Sequence, residues 1–69
     1  MVLLIPQGRP DIALVDDDLF AVLSETDTLG YIMRVGHLYV AMSGDNPRHA
    51  IEVGQTMSWD AAIELVVRA

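Results

Sequence analysis

A chain of 69 residues has room for one domain at most, here read as residues 1–69, and the absence of cysteine excludes disulfides and thiolate metal sites. A domain this small buries only about 60% of the surface its unfolded chain exposes, so with 52% apolar residues self-association is the expected source of extra stability. Ten acidic residues against four arginines and no lysine give a formal charge of -6, which disfavours nucleic acid and anionic membranes and leaves proteins or small molecules as partners.

The opening Met1–Ile5 is apolar, but it is too short for a secretory signal or a membrane span, lacks a basic flank and is interrupted by Pro6. A cytoplasmic protein is therefore expected. Pro6, Gly8 and Pro10 break the segment. Residues 1–15 read as an N-terminal strand or as an arm covering the core, with Asp11 to Val15 suited to a short strand in which Ile12 and Leu14 alternate with Ala13. Asp16-Asp17-Asp18 then leads into Leu19-Phe20-Ala21-Val22-Leu23, where two readings compete. An aspartate cap with apolar spacing would open a short helix, whereas Phe20 and Val22 on one side would make a strand. The strand is favoured, because the segment is too short for an independent helix and lies one turn, Glu25 to Thr28, ahead of a clear strand.

Leu29 to Ser43 carries the clearest pattern. Gly36-His37 fits a tight hairpin loop with glycine first, as a type II′ turn requires. That register opposes Val35 to Leu38, Met33 to Val40 and Tyr31 to Met42, all on one face, and sets Ile32, Arg34, Tyr39 and Ala41 on the other. Gly44 to Pro47 is a loop by composition. Ala50 to Thr56 reads as a further strand, with Ile51 and Val53 on one face and Gly54 marking a bulge or the strand's end. Ser58 is a natural N-cap with Asp60 in the first turn. Trp59, Ala62, Ile63, Val66 and Val67 form the expected apolar helix face, and Asp60, Glu64 and Arg68 follow at four-residue spacing on the wet side. The expected fold is α+β: a small antiparallel β-meander of about three or four strands packed against one C-terminal α-helix.

Several of these residues also form a recurrent pattern: Asp17-Asp18-Leu19-Phe20, Gly30-Tyr31-Ile32, Tyr39-Val40-Ala41, and the run from Val53 to Ala62 with Gly54, Ser58 and the Ala61-Ala62 pair. From Asp17 to Val67 the chain resembles a loose group of short, uncharacterised proteins of actinobacterial type. The resemblance implies a bacterial β-meander covered by one helix. It supplies no catalytic residues, and the N-terminal segment lies outside it.

Candidate sites are few. Asp16-Asp17-Asp18 lacks the alternating ligands, turn glycine and distal glutamate of a calcium loop, and reads as a solvated lead-in. His37 and His49 fall in or near loops, too few to build a zinc site without carboxylates. Ser24, Ser43 and Ser58 have no histidine–carboxylate partners placed by sequence, and no phosphate-binding glycine loop occurs. No catalytic, cofactor-binding or metal residue is assigned, no cofactor is expected, and enzyme activity is not expected. Trp59 suits the core better than an exposed anchor. One short helix covers one side of the sheet, so the face bearing Ile32, Tyr39 and Ala41, together with Leu19, Ala21 and Leu23, is expected to need a cover. The candidate interface is therefore Ile32, Arg34, Tyr39, Ala41 and Trp59. The expectation is a non-catalytic module that forms a homodimer or docks on another protein. The alternative is a nucleic-acid-associated accessory of a regulatory or mobile-element system, favoured by Arg34 beside Tyr39 and opposed by the net charge.

Overall fold

The computed structural model describes residues 10–69, so the expected arm or strand at Met1–Ile5 lies outside the described residues. The elements are β1 (Asp11–Asp16), β2 (Leu19–Leu23), β3 (Thr28–Val35), β4 (Leu38–Ser43), β5 (Ile51–Thr56) and α1 (Trp59–Arg68). The strands form a single five-stranded sheet in the order β1-β2-β3-β4-β5, each antiparallel to its neighbour. This is the expected meander with one strand more, because Asp11–Asp16 joins the edge and Leu19–Leu23 takes the strand alternative over the helix.

Local chemistry explains each connection. Gly36 adopts φ +60°, the positive value demanded at the first position of the β3–β4 loop, and the register is the expected one, Val35 against Leu38, Met33 against Val40 and Tyr31 against Met42. Between β2 and β3, the Ser24 hydroxyl accepts from the Asp27 backbone N–H at 2.9 Å, and the Ser24 N–H donates to the Asp27 carbonyl at 2.7 Å. In β5, Gly54 pairs with Ala41 and Glu52 with Met42, which leaves Val53 as the extra residue of a bulge. The Ser58 hydroxyl caps α1 by accepting from the Ala61 N–H at 3.2 Å, with Asp60 in the first turn and Arg68 in the last.

The helix settles on the face that carries Phe20, Val22, Gly30, Ile32, Tyr39, Ala41 and Gly54. Its buried residues Ala62 and Val66 join Val22, Ile32 and Ala41 in the core, and Trp59, Ile63 and Leu65 are half-buried around them. Val67, expected on that face, is instead 46% exposed. Val22 and Ile32 are fully buried, and each such side chain contributes about 1.5–3 kcal/mol of transfer free energy. The face expected to need a cover is thus the one α1 covers. Leu19 and Ala21 are not on it: Ala21 pairs with Tyr31 and Leu19 with Met33, across the sheet from Ile32.

Side-chain volume accounts for the choice of face. A Cβ on Gly30 would collide with the Met42 carbonyl and stand 2.7 Å from Val66 Cγ1, and one on Gly54 would stand 2.8 Å from Leu65 Cδ1. With Ala41 between them, these positions let the helix backbone approach closely, whereas the opposite face carries Tyr31, Met33, Val40 and Met42. Gly30→Ala should therefore destabilise the fold by about 2–3 kcal/mol through overpacking against backbone that cannot yield. Gly36→Ala, which meets nothing within 4 Å but sits at φ +60°, should cost about 1–2 kcal/mol. Urea unfolding of both variants reads these values; Gly30→Ala at wild-type stability would contradict the close approach.

Candidate interaction surface

Once α1 is seated, exposed apolar side chains of the described residues gather on two surfaces, among others. The first is the face of the sheet opposite the helix, where Leu19, Met33 and Val40 form one cross-strand row and Ala13, Ala21, Tyr31 and Met42 another. Its middle is closed: Ala21, Tyr31 and Val40 are buried, and the Tyr31 hydroxyl reaches the Asp45 carbonyl of the β4–β5 loop in a long contact of 3.5 Å. Its hairpin end is open, with Met33 38%, Val35 52% and Leu38 37% exposed. Val35 and Leu38 are directly opposed and Met33 lies one pair behind them, so the three form a continuous patch rather than scattered side chains.

The second surface lies on the helix side. The helix packs over β3, β4 and β5, and the sheet extends past it toward β1. A groove of about 490 Å³ runs along that margin, lined by Ile12 of β1, by Trp59, Ile63 and Val67 of α1, and by the acidic pair Asp60 and Glu64. Leu14, which shares the helix-side register with Ile12 through its pairing with Phe20, is 67% exposed.

The residues expected at an interface divide between core and surface. Ile32 and Ala41 have no exposed area and cannot supply a docking surface, because α1 packs on them. Trp59 and Tyr39 are half-buried and belong to an aromatic cluster: the Trp59 ring meets Phe20 edge-on at 5.0 Å and Tyr39 at 5.4 Å. Trp59 thus packs against the core, as expected, and also lines the groove. Arg34 is exposed and engaged: its Nε and Nη2 donate to the same Asp18 carboxylate oxygen at 3.1 and 2.9 Å.

Asp16 accepts from the Asp17 N–H at 2.8 Å, so with Asp18 on Arg34 the aspartate run serves its own turn. His37 and His49 are exposed in separate loops. Among the described residues no group of His, Asp or Glu side chains is clustered to hold a metal ion, and no helix is long and apolar enough to cross a membrane. Sequence reasoning had the register of Met33, Val35 and Leu38 but gave their face to the helix. The signal that distinguishes the faces is residue size, small at Gly30, Ala41 and Gly54.

No family model matches the chain, and neither a curated protein nor a solved structure shows similarity to it.

A core role and a docking role for Trp59 differ in what truncation does. Trp59→Ala should lower stability by about 3 kcal/mol, since it removes an aromatic packed on the core. Asp18→Asn, which breaks an exposed ion pair, should cost less than about 1 kcal/mol and less still in high salt. Denaturant midpoints of the two variants, at low and high salt, check both.

Proposed function

We propose that the protein is a non-catalytic interaction module that self-associates through the helix-free face of its sheet. The observation that carries this reading is the contiguous patch of Met33, Val35 and Leu38 at the β3–β4 hairpin, each more than a third exposed on a face where no other described element packs. Two copies related by a two-fold axis would set the patch against itself and remove the same apolar area from water twice. The small size of the domain and its apolar surplus support the same conclusion, because an isologous contact supplies burial that a chain of 69 residues lacks. A cysteine-free, acidic chain fits a reducing, cytoplasmic setting. The resemblance to small actinobacterial-type proteins bears on the architecture alone.

Sedimentation equilibrium on the full chain should show a concentration-dependent dimer. Val35→Asp, which would place a carboxylate in the middle of the contact, should weaken it by about a hundredfold or more while leaving the monomer folded. A chain that is monomeric at every concentration, or a dimer indifferent to Val35→Asp, would refute the proposal.

A further inference from the structure

The geometry points to a second recognition site, on the other side of the sheet: β1 and the groove beside it accept an extended segment of another protein that carries cations at both ends and alternating apolar residues between them. Among the described residues, β1 has β2 as its one strand neighbour, so its outer edge presents the backbone N–H and C=O groups not turned toward β2. The opposite edge of the sheet is blunted. There β5 is interrupted in mid-strand by the Val53 bulge beside Gly54. In β1 the pairing is regular from Asp11 to Leu14 and shifts only between Leu14 and Asp16. An edge strand of this kind binds by β-augmentation, with main-chain hydrogen bonds for affinity and alternate side chains for specificity.

The side chains around that edge define the partner. A strand laid against β1 would place the residues opposite Ile12 and Leu14 on the helix side, where Ile63 and Val67 continue the apolar surface and Asp60 and Glu64 border it. The residues opposite Asp11 and Asp16 would fall on the other face, each beside an exposed carboxylate. Directly opposed strand residues share a face and interact, so opposite charges there stabilise and like charges destabilise. A second copy of this chain is disfavoured as the occupant on those grounds, since the antiparallel register that opposes Ile12 to Leu14 of the copy sets Asp11 against Asp16 at both ends. Charge complementarity calls instead for a basic-flanked strand, and the -6 charge of the whole chain would draw such a segment in from a distance.

Trp59 is the sole tryptophan and lines the groove, so its fluorescence reports occupancy. The probe is the peptide Lys-Val-Thr-Val-Lys, blocked at both ends, whose lysines share one face and whose valines share the other, titrated into the full chain at low salt. The control is the same peptide with glutamate in place of both lysines. The lysine peptide should shift Trp59 emission saturably and bind about tenfold more tightly than the glutamate peptide. The charge-reversed chain, Asp11→Lys with Asp16→Lys, should invert that preference. Val35→Asp, at the β3–β4 hairpin and outside the groove, should leave the lysine-over-glutamate preference unchanged, which separates this site from the self-association surface. Equal binding of the two peptides, or a preference that survives charge reversal, would overturn the proposal. So would the absence of any response up to millimolar peptide.

Discussion

The close approach of α1 to the sheet is the constraint on which the rest of the structure depends. A helix can descend onto a sheet only where side chains are small, and here Gly30, Ala41 and Gly54 provide that floor beneath Val66 and Leu65. Ile32 and Val22 fill the space the floor leaves, which is why they are the largest fully buried side chains. A helix of 10 residues, however, is about 15 Å long, while five strands spaced about 4.8 Å apart span about 19 Å between the outermost pair. No placement of α1 covers the whole sheet. Seated over β3, β4 and β5, it leaves the β1 margin and the far face to other contacts.

Most of the fold was legible because its local signals agree. The β3–β4 register follows from Gly36-His37 and the alternation around it, and the structure has the same pairs. Ser58 reads as a cap and acts as one. Leu19–Leu23 was ambiguous because an aspartate run suits either a helix start or a strand lead-in, and tertiary pairing with β3 decides for the strand. The face that buries was not legible from alternation, since both faces of the hairpin are apolar. Periodicity marks which residues share a side; it does not say which side the helix takes when each is hydrophobic. Volume decides, and the small residues that fix it come from three different strands, β3, β4 and β5. Only the cross-strand register aligns them.

The same blindness misassigned the candidate interface. Ile32 and Ala41 were grouped with Arg34 and Tyr39 because they share a strand face, and that grouping is correct. Burial varies along the face, however. Under the body of the helix it is complete, at the N-terminal turn Trp59 and Tyr39 remain half-buried, and beyond it Arg34 lies in solvent with Asp18. One set of four residues thus spans core, margin and surface. The apolar groove at β1 had no counterpart in the sequence reading, since it forms between elements at opposite ends of the described chain.

The distribution of charge sets the two exposed surfaces apart. Around Met33, Val35 and Leu38 the cross-strand neighbours are Leu19 and Val40, uncharged and apolar, and the carboxylate of that row, Asp16, lies two strands away from Met33, so a patch placed against a copy of itself brings few charges together. Along β1 the ends are Asp11 and Asp16, and the neighbouring helix turns carry Asp60 and Glu64, so self-pairing brings carboxylates together. An acidic edge is a device by which sheets avoid joining copies of themselves, and in the proposed docking it favours a cationic strand. Because the groove lies on the helix side and the hairpin patch on the other, burying the patch between two copies leaves both grooves on outward faces. A dimer formed through the first surface would present the second one twice.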